Sequence, residues 1–344
     1  MKIAVLAGGY SPERDVSLTS GSLIANALID EGNSVCLADV YVGINTQGRD
    51  YSEMFTTEKY PEYSVENSIP DLEALKATCN NGDAFIGKGI IELCRAADVV
   101  FMALHGAMGE NGQLQATLDA YGIKYTGSGY VGSLLAMDKD LSKRIFRDCG
   151  VITPAWIYTT ALECTPELVR EKIGFPCVIK PTSCGSSVGI SMAENESELE
   201  AAIALAKKYE GELIIERKID GREMTVGILD GEVLPVVEII PQSGFYDYEN
   251  KYQAGKTLEV CPAEISEWVA DALACQTLRG FDALRLSGYA RFDFIVDEND
   301  VPYCLEANTL PGMTPTSLLP QMAQARGISY GQLCSRIVQT ALKK

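Results

Sequence analysis

The 344-residue sequence has a single histidine, His105, no Cys-x-x-Cys pair among its 11 cysteines, and a shortage of cations, with 29 Lys and Arg against 47 Asp and Glu for a formal net charge of −18. One histidine excludes a metal centre built on several imidazoles and makes any serine–histidine triad depend on that one residue. The cysteine spacing excludes a zinc cluster and points to reduced thiols. The acidic excess argues against DNA, RNA or an anionic membrane surface as main partner, so an anionic ligand must meet locally placed lysines and arginines. No uninterrupted apolar stretch approaches the roughly 18 to 20 residues that span a bilayer; the longest candidate is Val99 to Leu104. At the start, Glu13 and Arg14 arrive before a signal-peptide cleavage pattern forms, so residues 3–7 read as a first strand and the chain as cytoplasmic.

A hydrophobic content of 47% with 22% charged residues suits a globular protein, and the length suits two or three domains. The first third alternates short apolar runs (KIAVLAG, SVCLADV, DVVFMAL) with segments of helical period, which predicts a parallel sheet covered on both faces. The stretch 47–89 is polar and weakly periodic and reads as an excursion. Beyond Gly127 the pattern becomes α+β: a helix over Leu134 to Cys149, a strand at Ala155 to Tyr158, a helix near Pro166 to Lys172 and the strand CVIKP. Hairpins are then expected around Asp230-Gly231 and, between YARFDFIV and VPYCLEAN, around the turn Asp297 to Asp300, with two helices at the end. The expected division is 1–128, 129–217 and 218–344.

The last hairpin carries the most chemistry. Strand alternation puts Arg291 and Asp293 on one face with Phe292 and Phe294 on the other, while Glu306 and Asn308 share a face of the next strand. With a four-residue turn Asp293 lies opposite Cys304 and diagonal to Glu306. Two carboxylates and an amide oxygen make a hard-cation site; a half-exposed sheet face decorated with charge gives the same pattern. Lys180 ends an apolar strand ahead of Gly185, Ser186, Ser187 and Gly189, a loop whose N–H groups suit phosphate, although an ordinary hairpin turn reads the same way. GSGYVG at 127–132 matches a dinucleotide fingerprint, but no acid closes a following strand, and the match reads as coincidence. Lys139 is either a second cation for a nucleotide or an exposed helical lysine. Glu13 suits a substrate ammonium or the dipole of the helix that it begins. His105 follows a strand, as a structural hydrogen-bonder or a site residue. Tyr246, Tyr248, Lys251 and Tyr252 crowd between glycines in a segment that suits a lid or a packed surface loop.

Taken together, GGYSPERDVS, HGAMGENGQLQ, YTGSGYVGSLLAMDK, IKPTSCGSSVG, ERKIDGREMTV, FYDYENKY, GYARFDF and LEANTLPGMTPTSL resemble, in order and nearly end to end, the D-alanine-D-alanine ligase family of the ATP-grasp superfamily. The resemblance implies an N-terminal parallel-sheet domain before a two-part ATP-grasp domain with antiparallel sheets. It also implies a cytoplasmic homodimer that uses ATP and two Mg²⁺ or Mn²⁺ ions to join two D-alanines for peptidoglycan precursor synthesis, with D-alanine as its small-molecule partner. The first D-alanine would be phosphorylated on its carboxylate and then attacked by the amine of the second.

Residue by residue, the resemblance gives Glu13 the ammonium of the first D-alanine, with Ser186 and Tyr252 latching the loop over it. Lys139, Lys180 and Ser187 would hold the phosphates. Glu216 would meet the adenine amino group and Glu223 the ribose, with Ile219 and Phe292 also at the nucleotide. Asp293, Glu306 and Asn308 would hold the metal ions. Arg291 and the Gly312 backbone would face the developing oxyanion, and Lys251, Ser317, Leu318 and His105 would line the amino-acid sites. Lys218 departs from the family pattern where an aromatic often lies beside adenine, and Thr182-Ser183-Cys184 lacks charges that some relatives carry. Tyr252 with Leu318 favours D-alanine over D-serine or D-lactate as second substrate. The competing readings are an NAD-dependent dehydrogenase built on GSGYVG, which leaves the Asp293, Glu306, Asn308 set without work, a nucleotide-binding protein without turnover, and a ligase for another amino or hydroxy acid.

Overall fold

Strand β1 (Lys2–Ala7, KIAVLA) buries five of its six residues. A strand this uniformly apolar needs cover on both faces. Helix α1 (Arg14–Asp30) returns the chain to β2 (Ser34–Asp39), which pairs with β1 in parallel. The computed structural model describes residues 1–63, 70–79, 81, 84–183, 189–241 and 257–344. Within the polar excursion, Thr56 bridges Val35, and the Tyr60 hydroxyl accepts from Leu37 N–H and donates to the Val35 carbonyl, both at 3.1 Å. The outer edge of β2 is thereby covered. Helices α2 (Leu72–Cys79) and α3 (Ile90–Ala96) lead to β3 (Val99–Met102), which completes the parallel order β2-β1-β3.

Helices α4 (Ala107–Glu110), α5 (Gln113–Ala120), α6 (Tyr130–Met137) and α7 (Lys139–Asp148) follow. The single helix expected over 134–149 is two. Asp138 leaves the helical region (φ −82°, ψ 108°), and its carboxylate accepts from Leu141 N–H at 2.9 Å as the N-cap of α7. In GSGYVG, a Cβ on Gly132 would lie 2.9 Å from the Arg285 carbonyl oxygen, so this glycine lets α6 pack against backbone.

The second sheet comes from β4 (Trp156–Thr160), α8 (Pro166–Lys172), β5 (Cys177–Pro181), β6 (Ser191–Ala193), α9 (Glu196–Ala206) and β7 (Glu212–Arg217). Its order is β4-β7-β5-β6, with every pair antiparallel. The third sheet contains β8 (Arg222–Leu229), β9 (Glu232–Val233), β10 (Val237–Pro241), β11 (Thr257–Val260), β12 (Tyr289–Val296) and β13 (Pro302–Asn308). Its path is β11-β10-β8-β12-β13, with β9 paired to β8 across the expected Asp230-Gly231 turn, where both residues have positive φ. Helix α10 (Glu267–Ala283) precedes β12, and α11 (Leu318–Ala325) and α12 (Tyr330–Leu342) close the chain.

The described residues form three cores. Leu319, Leu333 and Ile337 from the last two helices join Ile3, Val5 and Phe101 of the parallel sheet. Phe146 of α7 and Leu273 of α10 pack with Phe292 and Phe294 of the third sheet. Val169, Ile179, Leu199, Leu213 and Ile215 form the core of the second. Among the described residues every cysteine is free, and no helix is long and apolar enough to cross a membrane.

Candidate active site

The hairpin β12–β13 differs from its expected register. The loop is five residues long, since Val296 pairs with Pro302, and Phe294 rather than Asp293 faces Cys304. A bulge between Asp293 and Phe294 then brings Glu306 directly opposite Asp293 and Asn308 opposite Arg291. The irregularity thus draws the oxygen-bearing side chains closer than an ideal hairpin would. Asp293 is buried. It accepts from Arg291 in a bidentate pair at 2.9 and 2.8 Å, from Asn308 Nδ2 at 3.0 Å and from Thr225 Oγ1 at 2.7 Å. Glu306 is 28% exposed and lies 3.6 Å from the Lys139 ammonium. A cavity lined by Lys139, Glu306, Asn308 and Glu110 opens there. The metal ligands proposed on this hairpin are all oxygen donors, with Cys304 buried on the neighbouring position, which fits Mg²⁺ or Mn²⁺ rather than a thiolate-seeking ion.

The cations come from the second layer of structure. The N-cap break at Asp138 places Lys139 at the first position of α7, buried, with its N–H donating to the Thr182 carbonyl at 3.0 Å. Lys180 stands near the end of β5 and makes an ion pair with Glu216 Oε1 from the adjacent strand β7. Glu216 Oε2 is 2.9 Å from the Lys143 ammonium. Burial alone would raise the Glu216 carboxyl, but the two lysines outweigh it and hold the group well below the usual carboxylate range. At an effective dielectric of ~20 the Lys143–Glu216 contact is worth about 6 kcal/mol, which is matched by several kcal/mol for each ion withdrawn from water. Three buried ions are therefore no obvious device for stability.

The carboxyl ends of β1 and β3 supply the rest. Gly8 has φ +73°, and Asp39 sits so close that a Cβ there would collide with its carboxylate. Asp39 Oδ1 accepts from Gly9, Tyr41 and Val42 N–H, and Asp39 pairs with Arg14. This fixes the turn leading into Glu13, the N-cap residue of α1, whose side chain makes no capping bond. Its carboxylate instead reaches the β3–α4 loop, where a Cβ on Gly106 would lie 2.9 Å from Glu13 Oε2. His105 and Glu110 flank the same point. Burial pushes the imidazole pKa of His105 down, with nearby Glu13 opposing, and Nε2 has no hydrogen-bond partner among the described residues. Burial, reinforced by Glu13, pushes the Glu110 carboxyl up to about 8 even though Gly106 N–H donates to it at 2.8 Å.

Glu13, His105 and Glu110 from the parallel sheet, Lys139 from α7 and Arg291, Asp293, Glu306 and Asn308 from the third sheet are thus linked by distance or by mutual field. The family described as D-ala D-ala ligase N-terminus matches residues 2–128, and D-ala D-ala ligase C-terminus matches residues 145–339. The D-alanine–D-alanine ligase of Pediococcus pentosaceus is 42% identical over 98% of this chain and 97% of its own length. This chain belongs to the D-alanine–D-alanine ligase family. A second family member, from Lacticaseibacillus casei, is 38% identical over all of this chain and 96% of its own. Among solved structures, the D-alanine–D-alanine ligase of Bacillus anthracis complexed with ATP covers 100% of this chain and 98% of its own, with TM-score 0.78 and 30% identity. The D-Ala:D-Ser ligase VanG of Enterococcus faecalis reaches 0.76 at 26% identity, with 99% of both chains covered.

The other residues expected for a D-alanine–D-alanine ligase have varied surroundings. Ser186, Ser187, Lys251 and Tyr252 lie outside the described residues. Glu216, expected at the adenine amino group, has its carboxylate engaged by two lysines. Phe292, expected at the nucleotide, is fully buried with its ring centroid 6.3 Å from that of Phe146. Ile219 is half-buried just beyond β7, and Glu223 lies on β8 between Ile239 and Ile295. Ser317 caps the approach to α11. Its Oγ lies 2.7 Å from Thr314 Oγ1 and accepts from Thr314 N–H at 3.1 Å, and a Cβ on Gly312 would lie 2.9 Å from it. Leu318 is buried behind it. Sequence reasoning missed Glu110, Thr225, Asp39 and Lys143. The available signals were weak: Lys143 stands one helical turn after Lys139 (i, i+4), and Asp39 ends the second strand.

Proposed function

We propose that this protein joins two D-alanine molecules into D-alanyl-D-alanine using ATP, releasing ADP and phosphate. The observation that carries the reading is the meeting of Lys139, Glu306, Asn308 and Glu110 at one cavity, with Asp293 behind it accepting from Asn308 Nδ2 at 3.0 Å and Glu13 close enough to act on Glu110. In this reading Glu13 takes the ammonium of the first D-alanine and so aims its carboxylate at the γ-phosphoryl group. Lys139, Lys180 and Ser187 hold the phosphates, and Ile219 and Glu223 serve the nucleoside. Asp293, Glu306 and Asn308 would hold Mg²⁺ or Mn²⁺, whose chemistry there is to neutralise triphosphate charge in an acidic protein.

Phosphorylation turns a poor acyl donor into an acylphosphate. Arg291 and the Gly312 N–H then stabilise the oxyanion as the neutral amine of the second D-alanine attacks, and phosphate leaves. Lys251 and Ser317 orient the second carboxylate, Leu318 and His105 shape the pocket, and Ser186 with Tyr252 excludes water from the intermediate. The same reading places the enzyme in the cytoplasm as a homodimer that supplies peptidoglycan precursor synthesis. The test is to mix protein, ATP and Mg²⁺ with D-alanine, D-serine, D-lactate or L-alanine and follow phosphate and dipeptide. D-Alanine alone is expected to give D-alanyl-D-alanine; no phosphate above background would end the reading.

A further inference from the structure

Lys143 has no role in the reaction as described, yet its side chain is completely buried. Its ammonium donates to Thr153 Oγ1 at 2.6 Å, pairs with Glu216 Oε2 at 2.9 Å and lies 5.8 Å from the Trp156 ring centre. With no exposed surface it cannot itself meet a ligand. The other oxygen of the same carboxylate is paired with Lys180, whose side chain retains 10% exposure. Two lysines therefore share one acid; burial pushes the Lys143 ammonium pKa down and Glu216 opposes it, and with both lysines protonated the cluster carries a surplus positive charge where a single Lys–Glu pair would have been neutral. Fold stability does not call for the second lysine, because each added buried ion must be desolvated and a lone cation is the worst case.

We infer that Lys143 is a positioning residue for nucleotide binding: by holding one oxygen of Glu216 it keeps Lys180 incompletely neutralised and ready for an incoming polyphosphate. The inference rests on the reading that Lys180 contacts the phosphates of ATP. Without Lys143, Glu216 turns both oxygens to Lys180, and a neutral pair confronts the tetra-anionic nucleotide. The surplus charge is expressed at Lys180 because that end of the cluster alone reaches solvent.

The experiment compares Lys143→Met, Glu216→Gln, the double variant and Lys180→Met in the full chain, measuring MgATP binding by calorimetry and KM for ATP and for D-alanine separately. Lys143→Met is expected to weaken ATP binding about tenfold or more while the KM for D-alanine stays within about twofold. The double variant is expected to recover most of that loss, because removing the acid frees Lys180 again. A merely structural lysine would give additive losses and would raise both KM values together, and either result overturns the inference. Should Lys143→Met fail to fold, Thr153→Val removes the hydroxyl that steadies the ammonium and is expected to weaken ATP binding about two- to threefold without changing the KM for D-alanine; no change would overturn it. If Lys180→Met binds ATP normally, the assignment of Lys180 to the phosphates falls. If Lys180→Met loses ATP and Lys143→Met does not, only the role of Lys143 falls.

Discussion

In the second sheet one buried acid, Glu216, is shared by two lysines, whereas in the third sheet two acids, Asp293 and Glu306, are shared between Arg291 and Lys139. The first arrangement is enclosed: Glu216 and Lys143 have side-chain exposures of 2% and 0%. The second is partly wet, and its loosest contact, Lys139 to Glu306 at 3.6 Å, involves a carboxylate 28% exposed and is worth about 1 kcal/mol or less. One sheet therefore presents cations moderated by an acid, and the other presents acids moderated by cations. On the proposed reading both are suited to exchange: an arriving polyphosphate would compete with Glu216 for Lys180, and arriving divalent ions would compete with Arg291 and Lys139 for the acids. The energetic difference predicts which exchange is easy and which leaves a structural scar.

The largest effect is expected at the wet acid. Glu306→Ala should lower phosphate release with D-alanine by about 1,000-fold, the scale of a lost electrostatic contact to the reacting phosphoryl group, with a melting temperature within a few degrees of wild type. An unchanged rate would remove Glu306 from the metal site. Asp293→Asn should lose turnover on the same scale and also stability, by roughly 3 kcal/mol, since Arg291 is left with half of its buried partner. Denaturant titration of the two variants side by side checks the asymmetry. Next in size, Lys139→Met should raise the KM for ATP about 10- to 100-fold; a normal KM with a lower kcat would show that this lysine serves chemistry rather than binding.

These residues were unequally legible in the sequence. Alternation along β12 and β13 is enough to put Asp293, Glu306 and Asn308 on one face, because side chains in strands have period two. The bulge that brings Glu306 opposite Asp293 is not written in that period, and the four-residue turn gave the wrong partner, Cys304. The break between α6 and α7 was hidden for a related reason. LLAMDKDLSKRIF keeps helical composition throughout, and only the capping bond that Asp138 accepts from Leu141 N–H shows that the helix restarts. The parallel sheet was readable because a strand buried on both faces has no polar alternation to obscure it. Lys143 and Glu110 were unreadable because their meaning lies in burial, and a Lys or Glu in a helix reads as solvent-facing until the packing is known. GSGYVG misleads in the opposite direction: its last glycine answers to the carbonyl of Arg285, far along the chain.

A smaller effect is expected where backbone geometry alone supports Glu13, the proposed partner of the substrate ammonium. Gly106 has φ +77°, and an added Cβ would come within 2.8 Å of Ser11 Oγ and 2.9 Å of Glu13 Oε2. Gly106→Ala should therefore raise the KM for D-alanine about tenfold, leave the KM for ATP nearly unchanged, and cost about 1 to 2 kcal/mol of stability from the left-handed backbone. Parallel changes in both KM values would mean that Glu13 is coupled to the nucleotide as well.

The smallest effect separates the parallel-sheet end of the site from both charged clusters, through pH. The Glu110 carboxyl titrates at about 8 in the folded protein, mainly because it is buried and then because Glu13 repels its charge. A carboxyl raised above its unfolded value near 4.5 leaves the folded state holding a proton that the unfolded state has released. Its contribution is complete below pH ~4.5 and is lost as pH rises toward 8. His105, lowered chiefly by burial, acts with the opposite sign and weakens the fold as pH falls below its ordinary value of 6.5. Glu110→Gln keeps the acceptor for Gly106 N–H but removes the proton. Its melting temperature relative to wild type should rise by a few degrees between pH 5 and pH 8 and then level off. A difference that is flat across that window would show that Glu110 is ionised in the fold, which would add a second carboxylate beside Glu13 and a second partner for the substrate ammonium.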